Sequence, residues 1–243
     1  MEKQYVAVIT GASKGLGKAL ALSFAKEGYS LGLCARGNEE LDEVVKQVEE
    51  LGATVVANTA DVTQVKDVDR FISVVEDAFG SIDVLINNAS TFGPGPTLLA
   101  DYPADQFEEV IRVNTSNPFL VTKRVLPGML AKGKGSIINV TSEVGKTGLA
   151  EWGAYSISKF GLEGLTAIWA DELDDTGVRV NMVDPGEMNT EMHETAVPDC
   201  DYELALPDDV VDVFLYLASE QAKDVNGERY EAQSFTRKGS ELS

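Results

Sequence analysis

Short continuous apolar runs rich in β-branched residues alternate along the chain with longer stretches whose apolar positions recur every three to four residues. The first kind predicts strands at Tyr5 to Thr10, Ser30 to Ala35, Ala53 to Thr59, Ile82 to Asn87, Gly135 to Thr141, Gly177 to Val183 and Arg229 to Ala232. The second predicts helices at Glu39 to Glu50, Gln64 to Phe79, Ala104 to Ala131, Trp152 to Asp174 and Pro207 to Ser219. One more is begun by Leu16, Leu20 and Phe24. Strands that are apolar throughout are covered on both faces, and strand–helix alternation implies right-handed βαβ crossovers. The expected fold class is therefore α/β, a doubly wound parallel sheet in three αβα layers. Residues 1–235 read as one domain, without repeat, low-complexity tract or Pro/Gly linker. The closing "TRKGSELS", 236–243, is polar and aperiodic, and is expected to be a disordered tail or an expression remnant.

Composition narrows the function classes. The 243 residues are 44% hydrophobic, enough for one large core. Twenty Lys and Arg against 40 Asp and Glu leave a formal charge of −20, which argues against nucleic acid or an anionic membrane as partner. The acidity also fits a high-salt habitat. The first strand begins too early for a signal peptide, and no apolar stretch is long enough for a membrane anchor, so a cytoplasmic protein is expected. Cys34 and Cys200 read as free thiols, and no metal site is expected.

The first turn carries candidate chemistry. In "VAVITGASKGLGKAL" the residues Gly11, Ser13, Lys14, Gly15, Leu16 and Gly17 link a strand to a helix start, where unpaired N–H groups and the positive end of the helix dipole make an anion site. Gly11 permits the tight turn, Gly15 the approach of a pyrophosphate, and Gly17 close packing of helix on sheet, as in a Rossmann dinucleotide site. The glycines alone would equally suit a plain connector. At the end of the second strand, 19 residues after Gly17, stands Arg36 rather than an acid. With Lys14 it offers two cations to a 2′-phosphate, so NADP(H) is the expected cofactor, unless Arg36 merely ends a strand in solvent. Asp61 in "TADVT" is placed to accept from an adenine amino group, with Val62 as backbone partner, or to cap the following helix.

A second constellation lies further on. Tyr155 and Lys159, four apart, share one helix face, where an ammonium is expected to lower the phenol's pKa into range for acid–base work. Ser142 ends the strand "SIINVTS" at the sheet's carboxyl edge and would orient a substrate carbonyl. Asn114 is a poor helix former amid apolar neighbours, a local violation of the kind that marks sites. His193, the sole histidine, reads as a solvated loop side chain.

Together these residues resemble the short-chain dehydrogenase/reductases from about Tyr5 to Phe235. "TGASKGLG" resembles their TGxxxGxG motif, "NNAS" at Asn87 to Ser90 their NNAG, "YSISK" their YxxxK and "PGEMNT" at Pro185 to Thr190 their PGxxxT. The resemblance implies an NADPH-dependent carbonyl reductase. Tyr155 would protonate the carbonyl oxygen, Ser142 bind it, Lys159 tune Tyr155 and hold the nicotinamide ribose, and Asn114 keep a water in the proton relay. Pro185, Gly186, Met188 and Thr190 would hold the carboxamide end, and Asn88 and Ala89 the cofactor floor. It also implies a small-molecule carbonyl or alcohol substrate and pairing of the two long helices into a homodimer or homotetramer.

Three departures stand out: Ser90 in place of glycine, a C-terminal "NGERYEAQSF" without the usual Gly-Gly, and an acidic lid between Pro185 and Asp208. The lid's six carboxylates, Glu187, Glu191, Glu194, Asp199, Asp201 and Glu203, are expected at one entrance. The nearest family label is 3-oxoacyl-carrier-protein reductase. However, the basic positions that such enzymes turn toward an acidic carrier fall here at Pro127 and Asp171. Small neutral carbonyls are therefore expected as substrates. The alternatives are a 3-oxoacyl thioester reductase, a pterin reductase, or an NADP-binding redox-sensing regulator with little turnover.

Overall fold

The computed structural model describes residues 4–236. Seven parallel strands, β1 (Val6–Thr10), β2 (Ser30–Ala35), β3 (Val55–Thr59), β4 (Val84–Asn87), β5 (Gly135–Val140), β6 (Val178–Asp184) and β7 (Arg229–Glu231), form one sheet ordered β3-β2-β1-β4-β5-β6-β7. Chain direction across the sheet reverses between β1 and β4, which opens a crevice beyond their carboxyl ends. The helices are α1 (Gly15–Lys26), α2 (Glu39–Glu50), α3 (Val65–Phe79), α4 (Ala104–Ile111), α5 (Asn117–Lys132), α6 (Gly153–Glu172), α7 (Glu191–Ala196) and α8 (Asp212–Ala218).

Both faces of the sheet are covered, which is why the strands read as continuous apolar runs. Leu20, Phe24, Val44 and Phe214 pack on one face, and Phe71, Ile72, Val121 and Met129 on the other, all fully or nearly fully buried. Among the described residues no helix is long and apolar enough to cross a membrane. Residues 237–243, most of the expected tail, lie outside the described ones.

Two expected helices differ in form. The stretch Ala104 to Ala131 is broken by a π-helical turn over Arg112–Ser116, so α4 and α5 are separate segments. Asn114 lies in this turn with its side-chain amide bonded outside the helix, and Pro118 just beyond it has no N–H to give the Asn114 carbonyl. The stretch Pro207 to Ser219 opens with a 3₁₀ turn at Pro207–Val210 before α8. The short α7 was absent from the sequence pattern, being a single capped turn and a half.

Candidate active site

The glycine turn, the ends of β2 to β6 and the lid enclose one cavity of about 730 Å³. Every expected cofactor-contacting residue lines it: Gly11, Ser13, Lys14, Gly15, Leu16, Gly17, Arg36, Asp61, Val62, Asn88, Ala89, Pro185, Gly186, Met188 and Thr190. Ser142, Tyr155 and Lys159 line it too.

Side chains from β1 and β4 fix the glycine turn. Asn88 Nδ2 donates to the carbonyls of Thr10 and Gly11 at 2.9 and 3.0 Å, while the Asn88 and Ala89 amides donate to Thr10 Oγ1, each at 3.1 Å. A Cβ on Gly17 would lie 2.1 Å from the Gly11 carbonyl oxygen, so only glycine permits this approach of α1 to the turn. The first turn of α1 has neither a side-chain cap nor an acidic residue, and its residues Gly15, Leu16 and Gly17 line the cavity. These features fit a dinucleotide pyrophosphate.

At the end of β2 Arg36 is exposed and, among the described residues, forms no ion pair. Lys14 instead pairs with Glu191 of α7, and Glu40, unnoticed in the sequence, lies 3.3 Å from Ser13 Oγ. Asp61 Oδ1 accepts from the Thr63 amide at 3.0 Å and its hydroxyl at 2.7 Å, a local turn ahead of α3, whose cap position is Gln64. Asp61 is therefore not the helix cap.

At the other end the helix face read from sequence is formed. Tyr155 and Lys159 are buried on α6, with Lys159 Nζ 5.3 Å from the phenol ring centroid and donating to the Val140 carbonyl at 2.8 Å. The expected lowering of the Tyr155 pKa is not found. Burial pushes the phenol well above its ordinary value, Asp184 pushes the same way, and the Ser142 hydroxyl pulls it back in part. Lys159 is itself held down to about 8 by burial, against attraction from Asp184 and Glu163. Desolvation outweighs the pair's mutual charge, an effect that spacing along a helix does not reveal. The phenol is thus protonated at neutral pH, the state a general acid needs.

Asn114 is a strut. Its Oδ1 accepts from the Thr91 amide at 2.8 Å, and its Nδ2 donates to the Thr91 carbonyl at 2.8 Å and to Ser158 Oγ at 2.9 Å. Ser158 Oγ donates in turn to the Tyr155 carbonyl at 2.6 Å, so Asn114 ties the loop after β4 to the turn of α6 that carries Tyr155. One Oδ1 lone pair is left for a water.

His193 is not solvated. Thr190 Oγ1 accepts from its amide at 3.3 Å, starting α7 and turning the ring inward, edge-on to Tyr202, with Nε2 3.5 Å from Glu187. The lid's carboxylates do not all gather at one entrance either. Glu187 and Glu191 line the cavity, Glu194 and Glu203 line an adjoining hollow of about 580 Å³, and Asp199 and Asp201 line neither. Phe92, Leu149, Trp152 and Met192 make the rest of the substrate end apolar. Ser90 Oγ is buried there and has no protein partner. Among the described residues no cluster is placed to hold a metal, and both cysteines are free thiols.

A parallel sheet with a glycine turn at its switch point, and a Tyr–Lys pair facing it across one cavity, define a nucleotide-dependent oxidoreductase. The short chain dehydrogenase family matches residues 5–201, and the chain belongs to that family. It is 38% identical over 236 residues, 92% of this chain and 94% of the relative, to the 3-oxoacyl-[acyl-carrier-protein] reductase FabG of Thermotoga maritima. Its structure superimposes on actinorhodin polyketide ketoreductase, solved with NADPH, with a TM-score of 0.89 at 30% identity, covering 97% of this chain and 99% of that one. Levodione reductase superimposes with a TM-score of 0.89 at 28% identity, covering 93% and 95%.

Proposed function

We propose that this oxidoreductase reduces a small neutral ketone or aldehyde to the alcohol, reversibly, using NADPH. The observation that carries the reading is the meeting of Ser142, Tyr155 and Lys159 at the apolar end of a cavity whose other end is the glycine turn. The hydride for the carbonyl carbon would come from NADPH bound along the glycine turn. The Ser142 hydroxyl holds the carbonyl oxygen, the protonated Tyr155 phenol gives that oxygen its proton, and the Lys159 ammonium stabilises the phenolate left behind. When the cofactor is bound, Lys159 would also reach its ribose, Asn88 and Ala89 would floor it, and Pro185, Gly186, Met188 and Thr190 would line its nicotinamide end. NADP over NAD is supported by the unpaired Arg36 and by the NADPH found with the ketoreductase neighbour.

A second reading, reduction of 3-oxoacyl thioesters on a carrier protein, is favoured by the name of the Thermotoga relative. The surface weighs against it, because Pro127 and Asp171 are exposed on α5 and α6 where an acidic carrier would need cations, and Glu187 and Glu191 stand at the mouth. A Debye length of about 8 Å at physiological salt leaves charges at the mouth effective on an approaching anion. An exposed apolar stripe, Phe119 on α5 with Ile157, Phe160 and Ile168 on α6, supports a homodimer or homotetramer.

The test is NADPH oxidation with a neutral diketone against acetoacetyl-carrier protein, at low and high salt. The diketone should give the higher kcat/KM, and salt should narrow the gap. A carrier-protein kcat/KM above the diketone's that falls with salt would favour the second reading. Absence of turnover across ketones, aldehydes and thioesters would favour a redox-sensing regulator.

A further inference from the structure

Behind the proton-transfer pair lies an ionic group that the proposed chemistry leaves unused. Arg229 of β7 points toward the end of β6, with its side chain 17% exposed. Its Nε lies 3.1 Å from Glu163 Oε1, and Nη2 lies 2.8 Å from Asp184 Oδ2 and donates to the Ser142 carbonyl at 3.2 Å. Nη1 lies 3.3 Å from Glu231, and Glu143 approaches Nη2 to 3.9 Å. Lys146 closes the outer side by pairing with Glu143 and Glu231. Each carboxylate facing inward is held a second time: Glu163 Oε1 accepts from the Thr141 hydroxyl at 2.7 Å, and Asp184 Oδ1 from the Gly186 amide at 2.9 Å.

Asp184 and Glu163 are the charged groups that favour the Lys159 ammonium, and Asp184 also opposes the Tyr155 phenolate. Asp184 is 5% exposed and Lys159 2%, so their interaction is little screened by water. Two cations, Lys159 and Arg229, thus face two anions, Asp184 and Glu163. We infer that Arg229 is a positioning residue for proton transfer: its guanidinium offsets one of the two charges on Asp184 and Glu163 and fixes the Ser142 backbone, so that these four inner charges cancel while Lys159 is protonated. This rests on the proposed carbonyl reduction. Taking the guanidinium away leaves one excess negative charge, so both Lys159 and Tyr155 keep their protons to higher pH.

The experiment follows the carbon-13 Cε resonance of Lys159, assigned by its loss in Lys159→Met, against pH in lysine-labelled protein whose fold is checked by circular dichroism. Arg229→Gln should raise the midpoint by about one pH unit, the low end of the effect of a nearby charge. Arg229→Lys, which keeps the charge, should leave it near the wild type, Glu163→Gln should lower it, and the double variant Glu163→Gln/Arg229→Gln should return it most of the way. In parallel, the limb of kcat/KM for alcohol oxidation that rises with pH should move up in Arg229→Gln, giving about tenfold slower oxidation on that limb for a one-unit shift. A merely structural ion cluster would lower stability in Arg229→Gln and Arg229→Lys alike and leave the midpoint in place. That result, an equal shift in both, or an unmoved midpoint in Glu163→Gln overturns the inference even if Arg229→Gln fails to fold. Wild type with no turnover on any carbonyl or alcohol would overturn the proposed function instead, with the resonance still deciding this point.

Discussion

Replacing Asn114 with alanine removes a side chain that is 1% exposed and makes three hydrogen bonds. Ser158 Oγ keeps its bond to the Tyr155 carbonyl, so the groups orphaned are the amide and carbonyl of Thr91. An unsatisfied group costs about 1–3 kcal/mol when buried; Thr91 is half-buried and water enters the vacated space, leaving about 2–4 kcal/mol for the pair. At about 2–4 °C per kcal/mol for a domain of this size, Tm should fall by about 4–16 °C. The assay is thermal unfolding of wild type and Asn114→Ala by circular dichroism, with urea titration for the free energy. Because these bonds tie the loop after β4 to α6, kcat should fall as well, through loosening of the α6 turn bearing Tyr155. A variant that loses kcat while keeping its Tm within about 2 °C, under 1 kcal/mol by the same conversion, would refute the strut and leave Asn114 a purely catalytic group.

Tyr155→Phe should keep NADPH affinity, read by fluorescence titration, and lose at least about a hundredfold in kcat, the lower range for general acid catalysis; retention of most kcat would require another acid. Arg36→Asp should collapse the ratio of kcat/KM for NADPH over NADH, and an unchanged ratio would mean that Arg36 does not meet the 2′-phosphate. Lys159 titrates near 8 in the folded protein against an ordinary 10.5, so between those values the unfolded chain binds more proton and this group's contribution to stability rises with pH. The unfolding free energy of wild type relative to Lys159→Met should climb across that window in urea titrations, and a flat or falling difference would show that the ammonium is not desolvated.

What the sequence determined by itself was whatever depends on near neighbours along the chain. Apolar runs buried on both faces marked the five inner strands β2, β1, β4, β5 and β6, because a covered strand is apolar nearly throughout, whereas the edge strands β3 and β7 are half-exposed and more polar. A strand, three glycines and a helix start marked the phosphate turn. Tyr155 and Lys159 share a face because the helix repeat puts residues four apart on one side. The tertiary structure decided what depends on groups far apart in sequence. Asn114 became a strut because its side chain meets Thr91, 23 residues before, and Ser158, 44 after. His193 is buried because α7 turns its ring inward against Tyr202 and Glu187, and the lid's carboxylates divide between two hollows rather than fringing one rim. Arg229 meets Asp184, Glu163 and Ser142 across 45, 66 and 87 residues. The direction of the Tyr155 shift was hidden for the same reason. Spacing supplies the attraction of a neighbouring ammonium, whereas desolvation is set by everything packed around the phenol, and that exists only once the chain has folded.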